Sequence, residues 1–303
     1  MSQKALIFNK VNGSFVDGYG IRTTIFLKGC PLRCKWCCNP EGQSFSPQLR
    51  YLPDHCSGCG RCVPLCPKSA LSLADGIARI DRSLCDNCGQ CVDSCWQEAL
   101  RMSGERRDAE DVFAKILREK PYFDRSGGGL TIGGGEASAF PEFCLELIGL
   151  CHREGISVAV DSCGHTLRPA GVDVLKEADL ILFDLKGMDP EKHRDNTGVS
   201  NETILDNFRL LTRLGKPVIV RLPIIPGYTD GEGELEKLVA LLAASPNVER
   251  VDVLPFHTYG RVKYDELGME YPLPDTLKPL ADSDVAYVID ALTKAGLNAQ
   301  IGG

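Results

Sequence analysis

Eight cysteines in the first third of the chain constrain its structure more than any other feature of the sequence. They form two runs, Cys56-x2-Cys59-x2-Cys62-x3-Cys66 and Cys85-x2-Cys88-x2-Cys91-x3-Cys95. Each cysteine of the first run recurs 29 residues later, so the segment is an internal duplication. A dense cysteine pattern in a reducing compartment indicates metal ligation or catalysis rather than disulfides.

The spacing matches the run of bacterial ferredoxins, in which three close cysteines hold one cubane cluster and the fourth crosses to the other cluster. The sequence therefore predicts two [4Fe-4S] clusters with crossed ligand sets: Cys56, Cys59 and Cys62 with Cys95, and Cys85, Cys88 and Cys91 with Cys66. Zinc is the alternative, because paired C-x2-C knuckles also suit a tetrahedral site, but eight thiolates in a doubled run favour iron. Trp96 stands where Pro67 follows the first run, and we interpret it as a local variation in the turn.

The composition is that of a globular protein and argues against several kinds of partner. The 303 residues are 43% hydrophobic and 25% charged, enough for one large or two modest domains. A net charge of -7 leaves no basic face for a phosphate backbone, so nucleic acid is not an expected partner. The opening MSQKALIFNK has no long apolar segment, and no later run reaches the length of a membrane span. We therefore expect a cytoplasmic protein without a membrane partner.

A second cysteine pattern, Cys30-x3-Cys34-x2-Cys37, lies upstream and offers three thiolates in a short loop. Three ligands leave one iron of a four-iron cluster open, and open coordination positions are where metal chemistry takes place. A fourth ligand could come from Cys38 or from elsewhere. Cys38 directly follows Cys37, and adjacent residues seldom chelate one iron of a rigid cubane, so we interpret it as a bystander thiol. The apolar run Ile21 to Leu27 precedes this loop, and Trp36 precedes its third cysteine.

The segment from Phe15 to Gly42 resembles the opening of glycyl radical enzyme activating enzymes, which belong to the radical S-adenosylmethionine (SAM) class. The three-cysteine loop is shared by the whole class, and the motifs more specific to these activating enzymes are Asp17-Gly-x-Gly-Ile-Arg22 and Trp36-Cys-x-Asn-Pro-Glu41. Pyruvate formate-lyase activase lacks the duplicated segment, so the chain is more similar to the larger activases. The resemblance implies a monomer with a glycyl radical enzyme as protein substrate and a flavodoxin or ferredoxin as electron donor. Choline trimethylamine-lyase and isethionate sulfite-lyase are the first expected partners, with diol or glycerol dehydratase behind them.

Six apolar runs alternate with helical patterns and predict a parallel α/β protein. The predicted strands are Ile21 to Leu27, Leu130 to Ile132, Ile156 to Val160, Leu180 to Phe183, Val218 to Val220 and Val251 to Leu254. The predicted helices are Asp108 to Lys120, Pro141 to Arg153, Asn201 to Leu214 and Glu232 to Ala243. A full barrel of this type has eight units. We therefore expect a partial, laterally open (β/α)6 barrel formed by residues 1–48 and 104–303, with residues 49–103 as an inserted ferredoxin-like two-cluster domain.

Polar or glycine residues follow each predicted strand, where the active site of a β/α barrel forms. In chain order they are Cys30, Gly133-Gly134-Gly135-Glu136, Asp161-Ser162, Asp184-Leu185-Lys186, Arg221 and His257. Any single one could be a cap or turn residue, since loops after parallel strands are often polar. The coincidence of all six indicates a site. The upstream run Gly127-Gly128-Gly129 is interpreted as a flexible turn.

The family resemblance assigns these residues to SAM. It implies that Gly134-Gly135-Glu136 binds the methionine amino group and that Asp184-Leu185-Lys186 contacts the carboxylate and ribose. His257 would lie against the adenosine end, although a lone histidine is more often satisfied within a core. The remaining cofactor-binding candidates are Trp36, Cys37, Cys38, Asp161 and Arg221. The resemblance also implies a monovalent cation near the carboxylate, at groups matching Asp161, Ser162, Phe183 and Asp184.

The implied reaction is reductive cleavage of SAM at the Cys30, Cys34, Cys37 cluster. The released radical equivalent removes hydrogen from a partner glycine and leaves 5'-deoxyadenosine and methionine. The two further clusters relay electrons or brace the partner interface, and the sequence does not choose between these. A peptide- or sulfatase-maturing radical enzyme is one rival interpretation, against which the contexts around Asp17 and Trp36 count. A ferredoxin-like electron carrier is another, and it would explain residues 56–95 alone.

Overall fold

The computed structural model describes residues 2–231 and 233–302, and a nine-stranded sheet organises most of them. The strands are β1 (Lys4–Ser14), β2 (Arg22–Leu27), β3 (Gln48–Tyr51), β4 (Leu71–Ala74), β5 (Ile77–Ile80), β6 (Leu100–Ser103), β7 (Glu105–Asp108), β8 (Gly129–Gly134), β9 (Ser157–Ser162), β10 (Leu180–Asp184), β11 (Val218–Ile224), β12 (Val248–Pro255) and β13 (Ala299–Ile301). The large sheet has the order β13-β12-β11-β10-β9-β8-β2-β1-β7.

Within this large sheet, β2 and β8 to β13 pair in parallel with their neighbours, whereas β1 and β7 extend the sheet with antiparallel pairs. The six predicted strands are β2 and β8 to β12, and they lie side by side in chain order. The predicted mixed α/β fold with a large parallel sheet is therefore confirmed. Because parallel neighbours end at the same edge, the segments after these strands share one edge of the sheet.

Helices occupy the connections between the parallel strands. They are α1 (Ala109–Leu117), α2 (Lys120–Ser126), α3 (Pro141–Arg153), α4 (Pro169–Glu177), α5 (Pro190–Thr197), α6 (Glu202–Arg213), α7 (Glu234–Ala243), α8 (Arg261–Leu267) and α9 (Ala286–Lys294). The predicted helix 108–120 ends early, and α2 starts afresh with Pro121 in its first turn. Glu232, the predicted start of α7, lies outside the described residues, as do Met1 and Gly303.

The main core lies between the parallel sheet and its helices. Fully buried strand residues such as Leu130, Val158 and Ile181 belong to the same apolar cluster as Leu147 of α3 and Phe208 of α6. Strands buried in this way appear in the sequence as short continuous apolar runs, which is why they could be predicted. In the part of the chain that the structure describes, no helix is long and apolar enough to cross a membrane.

Residues 48–103 form a separate structural segment, which we call the insert. It contains two small antiparallel sheets, one pairing β3 with β6 and the other pairing β4 with β5. Gln48 is the pairing partner of Ser103, so the two ends of the insert lie side by side. Its own buried cluster is small and includes two of the cysteines: Leu49, Cys62, Leu71, Ala78, Cys91 and Leu100.

The duplication extends from the cysteines to the backbone of the insert. Three further pairs of residues, each 29 apart, share the left-handed conformation: Gly58 (φ 67°) with Asn87 (φ 59°), Gly60 (φ 73°) with Gly89 (φ 78°), and Ser69 (φ 51°) with Glu98 (φ 51°). Left-handed backbone is uncommon outside glycine, so its recurrence at matched positions shows that both runs adopt one loop structure.

The turn after the second cysteine run is therefore not a variation of the first. The Ser69 N–H donates to the Cys66 carbonyl at 3.1 Å, and the Glu98 N–H donates to the Cys95 carbonyl at 2.9 Å. The interpretation of Trp96 as a local variation was wrong, because this turn forms with either residue. What differs is the side chain, since the Trp96 indole is 81% exposed.

Candidate active site

A cavity of about 300 Å³ opens at the edge of the sheet where the parallel strands end. Most of the side chains and glycines predicted from the sequence line it: Cys30, Cys34, Trp36, Cys37, Cys38, Gly134, Gly135, Asp161, Ser162, Asp184, Lys186, Arg221 and His257. Pockets of this size hold small molecules and cofactors. The topology thus brings together residues contributed by the ends of six different strands.

The three-cysteine loop is held in place from both sides. At its start the Gly29 N–H donates to the Gly42 carbonyl at 2.8 Å. Further along, the Arg33 N–H donates to the Thr197 carbonyl at the end of α5, at 2.7 Å. Burial raises the pKa of the Cys30 thiol to about 12 and also raises the pKa of Cys34 and Cys37. Buried thiols ionise when a cationic partner compensates the charge, so this donor set fits an iron cluster.

Gly134, the last residue of β8, and Gly135, the first residue after it, are required by the close approach of this segment to the end of β2 and the start of the cysteine loop. A Cβ on Gly134 would lie 2.3 Å from the Leu27 nitrogen, and a Cβ on Gly135 would lie 2.3 Å from the Gly29 carbonyl oxygen. The Gly135 N–H donates to the Leu27 carbonyl at 2.7 Å. The glycines therefore lock two cavity-forming loops together through backbone contacts, whatever they do for a ligand.

The sequence suggested that the upstream run Gly127-Gly128-Gly129 is a flexible turn. The structure shows that only part of it is. Gly127 does end α2 in a left-handed conformation. A Cβ on Gly128 would lie 1.8 Å from the Ile21 carbonyl oxygen, and one on Gly129 would lie 2.0 Å from the Ser157 carbonyl oxygen. These two glycines are fixed by neighbouring backbone at the start of β8.

Glu136 and Leu185 do not line the cavity. The Glu136 side chain is fully buried and accepts hydrogen bonds from Ser162 Oγ at 2.7 Å and from the Cys163 N–H at 2.8 Å. It ties the end of β9 to the loop after β8, and its contact with the cofactor stays a prediction. Leu185 packs in the main core, and its N–H donates to the Arg221 carbonyl at 3.1 Å.

Four charged side chains form a connected network on the cavity wall. Lys186 Nζ donates to Asp184 Oδ2 at 2.7 Å, and Arg221 Nε donates to Asp184 Oδ1 at 2.8 Å. Arg221 also pairs with Asp161. Burial alone would raise the pKa of Asp184, but the charges of Arg221 and Lys186 outweigh it and hold that pKa low. Burial raises the pKa of Asp161 despite Arg221.

This network bears on the expected monovalent cation. Asp161 and Asp184 are the two carboxylates of its expected ligand set, and the Arg221 guanidinium bridges them. Ser162 Oγ donates to Glu136, and Phe183 is buried in the core. The cation stays a prediction.

His257 lies at the cavity wall beyond β12. Its ring stacks on Tyr259, with the ring centroids 4.5 Å apart, and Nδ1 accepts from the Tyr259 N–H at 3.3 Å. Partial burial lowers the pKa of His257, which favours the neutral imidazole. A neutral, stacked ring suits contact with a planar apolar group better than contact with a charge.

The sequence prediction missed other members of the cavity wall, among them Asp17, Gln43 and Cys163. Asp17 Oδ2 accepts from Ser14 Oγ and from Thr24 Oγ1, each at 2.6 Å. Its place in the motif Asp17-Gly-x-Gly-Ile-Arg22 was the signal that could have found it. Gln43 and Cys163 stand in no pattern that would have distinguished them.

In the same motif, Arg22 is 1% exposed and has a structural role. Its Nε donates to Thr131 Oγ1 at 2.7 Å, and its Nη2 donates to the Leu130 carbonyl at 2.5 Å. Burial lowers the pKa of Arg22 to about 10, against the opposing charges of Asp179 and Asp17. Arg22 therefore fixes the start of β2 against β8.

The eight cysteines of the insert line two separate cavities. One is lined by Cys56, Cys59, Cys62 and Cys95 together with Arg61 and Trp96. The other is lined by Cys66, Cys85, Cys88 and Cys91. Cys66 and Cys95 thus each lie with the cysteines of the other run, which is the arrangement that crossed ligand sets require.

Across residues 2–231 and 233–302, no three His, Cys, Asp or Glu side chains converge as a single metal ion would need. A cubane distributes its four thiolates over four irons, so its ligands surround a larger volume. The two cysteine-lined cavities of the insert are therefore compatible with a cubane, although their cysteines do not converge on a single point.

The radical SAM superfamily model matches residues 24–239 of the chain, from β2 through most of α7. The chain belongs to the radical SAM superfamily. This radical SAM protein is 39% identical to the choline trimethylamine-lyase activating enzyme of Oleidesulfovibrio alaskensis, over 97% of this chain and 96% of that protein. It is also 39% identical to the isethionate sulfite-lyase activating enzyme of Nitratidesulfovibrio vulgaris, over 88% of this chain and 89% of that protein. Such relatives place it among the glycyl radical enzyme activating enzymes.

Similarity to solved structures shows the fold of this radical SAM protein. The crystal structure of a radical SAM methyltransferase from Sphaerobacter thermophilus superposes with a TM-score of 0.51 at 14% identity. The superposition covers 92% of this chain and 66% of that one. At this identity the likeness is one of architecture alone.

Proposed function

We propose that this radical SAM protein installs a glycyl radical in a partner enzyme. The observation that carries the proposal is the cavity in which Cys30, Cys34 and Cys37 meet the charged network of Asp184 and Lys186. When bound, a reduced [4Fe-4S] cluster and SAM supply reductive cleavage of the cofactor and hydrogen abstraction from a partner glycine, leaving 5'-deoxyadenosine and methionine.

The chain's own residues would bind and orient SAM. Lys186 is a largely buried ammonium available to a carboxylate as a point charge, and it is held in place by Asp184, which also pairs with Arg221. The stacked His257 ring offers a planar surface for the adenine. Cys30, Cys34 and Cys37 would hold the cluster with three thiolates, and the iron without a protein ligand would supply chelation of the cofactor's amino and carboxylate groups.

We further propose that residues 49–103 are a ferredoxin-like domain with two auxiliary [4Fe-4S] clusters, inserted in a partial (β/α)6 barrel made of residues 1–48 and 104–303. The repeated left-handed positions and the two cysteine-lined cavities support the auxiliary clusters. The open order of strands, with β13 and β7 at its ends, supports a laterally open barrel. The electron donor would be a flavodoxin or ferredoxin, and the protein a cytoplasmic monomer.

The proposed partner enzymes are choline trimethylamine-lyase and isethionate sulfite-lyase. Identities of 39% to activating enzymes named for choline trimethylamine-lyase and for isethionate sulfite-lyase favour neither over the other. These two lyases are therefore the first partners to test.

The proposed function is tested by incubating the anaerobically reconstituted protein with dithionite and SAM. We expect 5'-deoxyadenosine and methionine in equal amounts, because one cleavage releases both. Addition of the correct lyase should then give a glycyl radical signal by electron paramagnetic resonance. An electron carrier would give no 5'-deoxyadenosine, and that result would refute the proposal.

A further inference from the structure

The two cysteine-lined cavities of the insert lie in series from the cavity of the three-cysteine loop, and strand β3 shows the order. At its start, Gln48 Oε1 accepts from Lys28 Nζ at 2.8 Å, and Lys28 lies two residues before Cys30. Next, Leu49 borders the cavity of Cys66, Cys85, Cys88 and Cys91. At the end of the strand, Tyr51 borders the cavity of Cys56, Cys59, Cys62 and Cys95.

A strand rises by about 3.3 Å per residue, so Tyr51 lies roughly 10 Å farther along β3 than Gln48. We call the cavity bordered by Leu49 the proximal cavity and the one bordered by Tyr51 the distal cavity. The paired strand β6 agrees with this order, because Leu100 opposite Tyr51 lines the distal cavity. The Gly89 loop that carries proximal cysteines lies instead against Met102, opposite Leu49.

The distal cavity reaches the protein surface under an unusual set of side chains. Arg61, Leu73 and Trp96 all line it, and we call them the Trp96 face. The indole is 81% exposed, Leu73 is exposed as well, and the Arg61 guanidinium lies 4.5 Å from the centre of the indole ring. Neither the turn nor the core requires a tryptophan here, since the first run makes the same turn with Pro67.

Arg61 carries a positive charge that no carboxylate of the described residues neutralises. Within the described residues 2–231 and 233–302, no Asp or Glu lies within ion-pair distance of it, whereas Arg79 and Arg101 of the insert both pair locally. Residues 49–103 hold six basic and six acidic side chains, so the net charge of -7 falls entirely on the rest of the chain. The insert is neutral on balance and the rest of the chain is acidic, so an acidic protein would be repelled less by the insert.

We propose that the Trp96 face is the docking surface for the electron donor, an acidic one-electron carrier protein, and that electrons enter this protein at the distal cavity. Exposed tryptophan and arginine side chains are the residues that most often dominate binding energy at protein interfaces. The glycyl radical enzyme has to reach the opposite end of the series, because its glycine must approach the SAM cavity. The inference rests on the proposed function and adds the partner and its direction of approach.

The electron balance is one carrier electron for each SAM cleaved. The reduced carrier is oxidised by one electron at the Trp96 face, and the auxiliary clusters return to their starting state after passing it on. That electron is consumed in breaking the bond between the sulfonium sulfur and the 5' carbon, which releases methionine.

The test uses the reconstituted full chain, with flavodoxin as the probe. Trp96→Ala and Arg61→Glu are compared with Tyr122→Ala, an exposed aromatic on α2, and with Arg118→Glu, an exposed arginine after α1. We expect the first two changes to weaken flavodoxin binding, measured by calorimetry at low salt, by about tenfold or more. The control changes should leave binding close to that of the unaltered protein.

A second measurement separates donor docking from cluster loss. Iron content and dithionite-driven 5'-deoxyadenosine should stay unchanged in both Trp96-face variants, while flavodoxin-driven product falls. If Trp96→Ala loses iron, Arg61→Glu still tests the surface. Unchanged flavodoxin binding in the variant that keeps its iron would overturn the proposal, as would loss of binding to the glycyl radical enzyme instead. Absence of dithionite-driven product in the unaltered protein would count against the proposed function, not against the docking surface.

Discussion

Lys186, Asp184, Arg221 and Asp161 form a chain of alternating charges that is largely removed from water. Removal of one member of a buried ion pair leaves its partner uncompensated and typically costs about 3 to 5 kcal/mol. Asp184 is the central member, because both cations contact it. Substitution of Asp184 would therefore disturb the wall of the cavity itself. Substitution of a residue at an end of the charge chain, such as Lys186, leaves the other pairs in place and is easier to interpret.

The first prediction concerns the cofactor contacts. Lys186→Ala should weaken SAM binding by roughly 2 to 5 kcal/mol, because a desolvated carboxylate loses its charged partner. His257→Ala should also weaken binding, through loss of the stacking surface. Equilibrium dialysis with the reconstituted protein measures both effects, and Lys176→Ala, which removes a surface lysine paired with Asp173, is the matched control. Unchanged affinity in both site variants would show that the residues after β10 and β12 do not contact SAM.

The second prediction concerns the three-cysteine loop. Cys34→Ser should abolish glycyl radical formation and lower the iron content by about four atoms, one cubane, while the insert keeps its clusters. The reason is that Cys34 lines a cavity separate from both cavities of the insert. Cys38→Ser is the matched control and should keep all of its iron, as expected of a bystander thiol. Full radical yield on the partner in Cys34→Ser, measured by electron paramagnetic resonance, would refute the catalytic assignment.

At the scale of elements, the sequence predicted the strands whose own residues form a continuous apolar run. The six central parallel strands are buried on both faces and appear as apolar runs. Strand β13 has three residues, and its place is set by pairing with β12 rather than by an apolar run. Strand β7 is charged, Glu-Arg-Arg-Asp, and its conformation comes from pairing with β1. Edge strands of this kind have no periodicity that would reveal them.

One missed helix, α5, has a similar explanation. Helix α5 is polar along most of its length and is fixed by contacts with other parts of the chain at its end. The Thr197 carbonyl accepts from the Arg33 N–H at 2.7 Å, and the Asn196 side chain donates to the Tyr228 carbonyl at 3.0 Å. The signal for this helix was the pair Asp189-Pro190, a capping residue followed by proline in the first turn.

Most of the cavity could be predicted, because strand ends converge at one edge of the sheet. The buried position of Glu136 could not, since it depends on Ser162 and Cys163 from another strand end.

The third prediction tests the crossed ligand sets. In Cys95→Ala the cluster held by Cys56, Cys59 and Cys62 should lose a ligand and become labile, although Cys95 is closer in sequence to Cys91. The cluster of the proximal cavity should keep all four ligands, because Cys95 does not line it. Cluster-resolved Mössbauer or electron paramagnetic resonance spectra of the variant measure the loss. Cys66→Ala is the matched variant and should affect the other cluster; identical spectra for the two variants would rule out the crossing.

At the scale of the whole molecule, α8 joins the insert to the three-cysteine loop. Lys263 of this helix donates to Asn39 Oδ1 at 2.7 Å and lies 3.3 Å from Glu41 Oε1, both just after Cys37. One turn later, Glu266 accepts from Arg50 Nε at 2.9 Å, and its carbonyl accepts from Arg82 Nη2 at 2.8 Å. These contacts fix the insert relative to the three-cysteine loop, as the proposed relay of electrons would require.

The fourth prediction follows from the adjacent ends of the insert. Because Gln48 pairs with Ser103, a short glycine-rich turn can replace residues 49–102 without moving the strands on either side. We expect this variant to stay folded, to hold about four irons, and to form 5'-deoxyadenosine with dithionite but not with flavodoxin. Circular dichroism, iron analysis and product assays check these outcomes. Loss of the parallel-sheet fold on removal of the insert would show that the two parts fold as one unit.

The small core of the insert has a consequence for the life of this protein in the cell. Two of its six buried core residues are Cys62 and Cys91, which we propose as cluster ligands, so without iron little apolar contact would remain to hold the segment together. An iron-free insert would expose its backbone to proteases while the rest of the chain stayed folded. The amount of protein that survives should then follow the supply of iron and the exclusion of oxygen, with degradation removing copies that could bind a partner but not receive an electron.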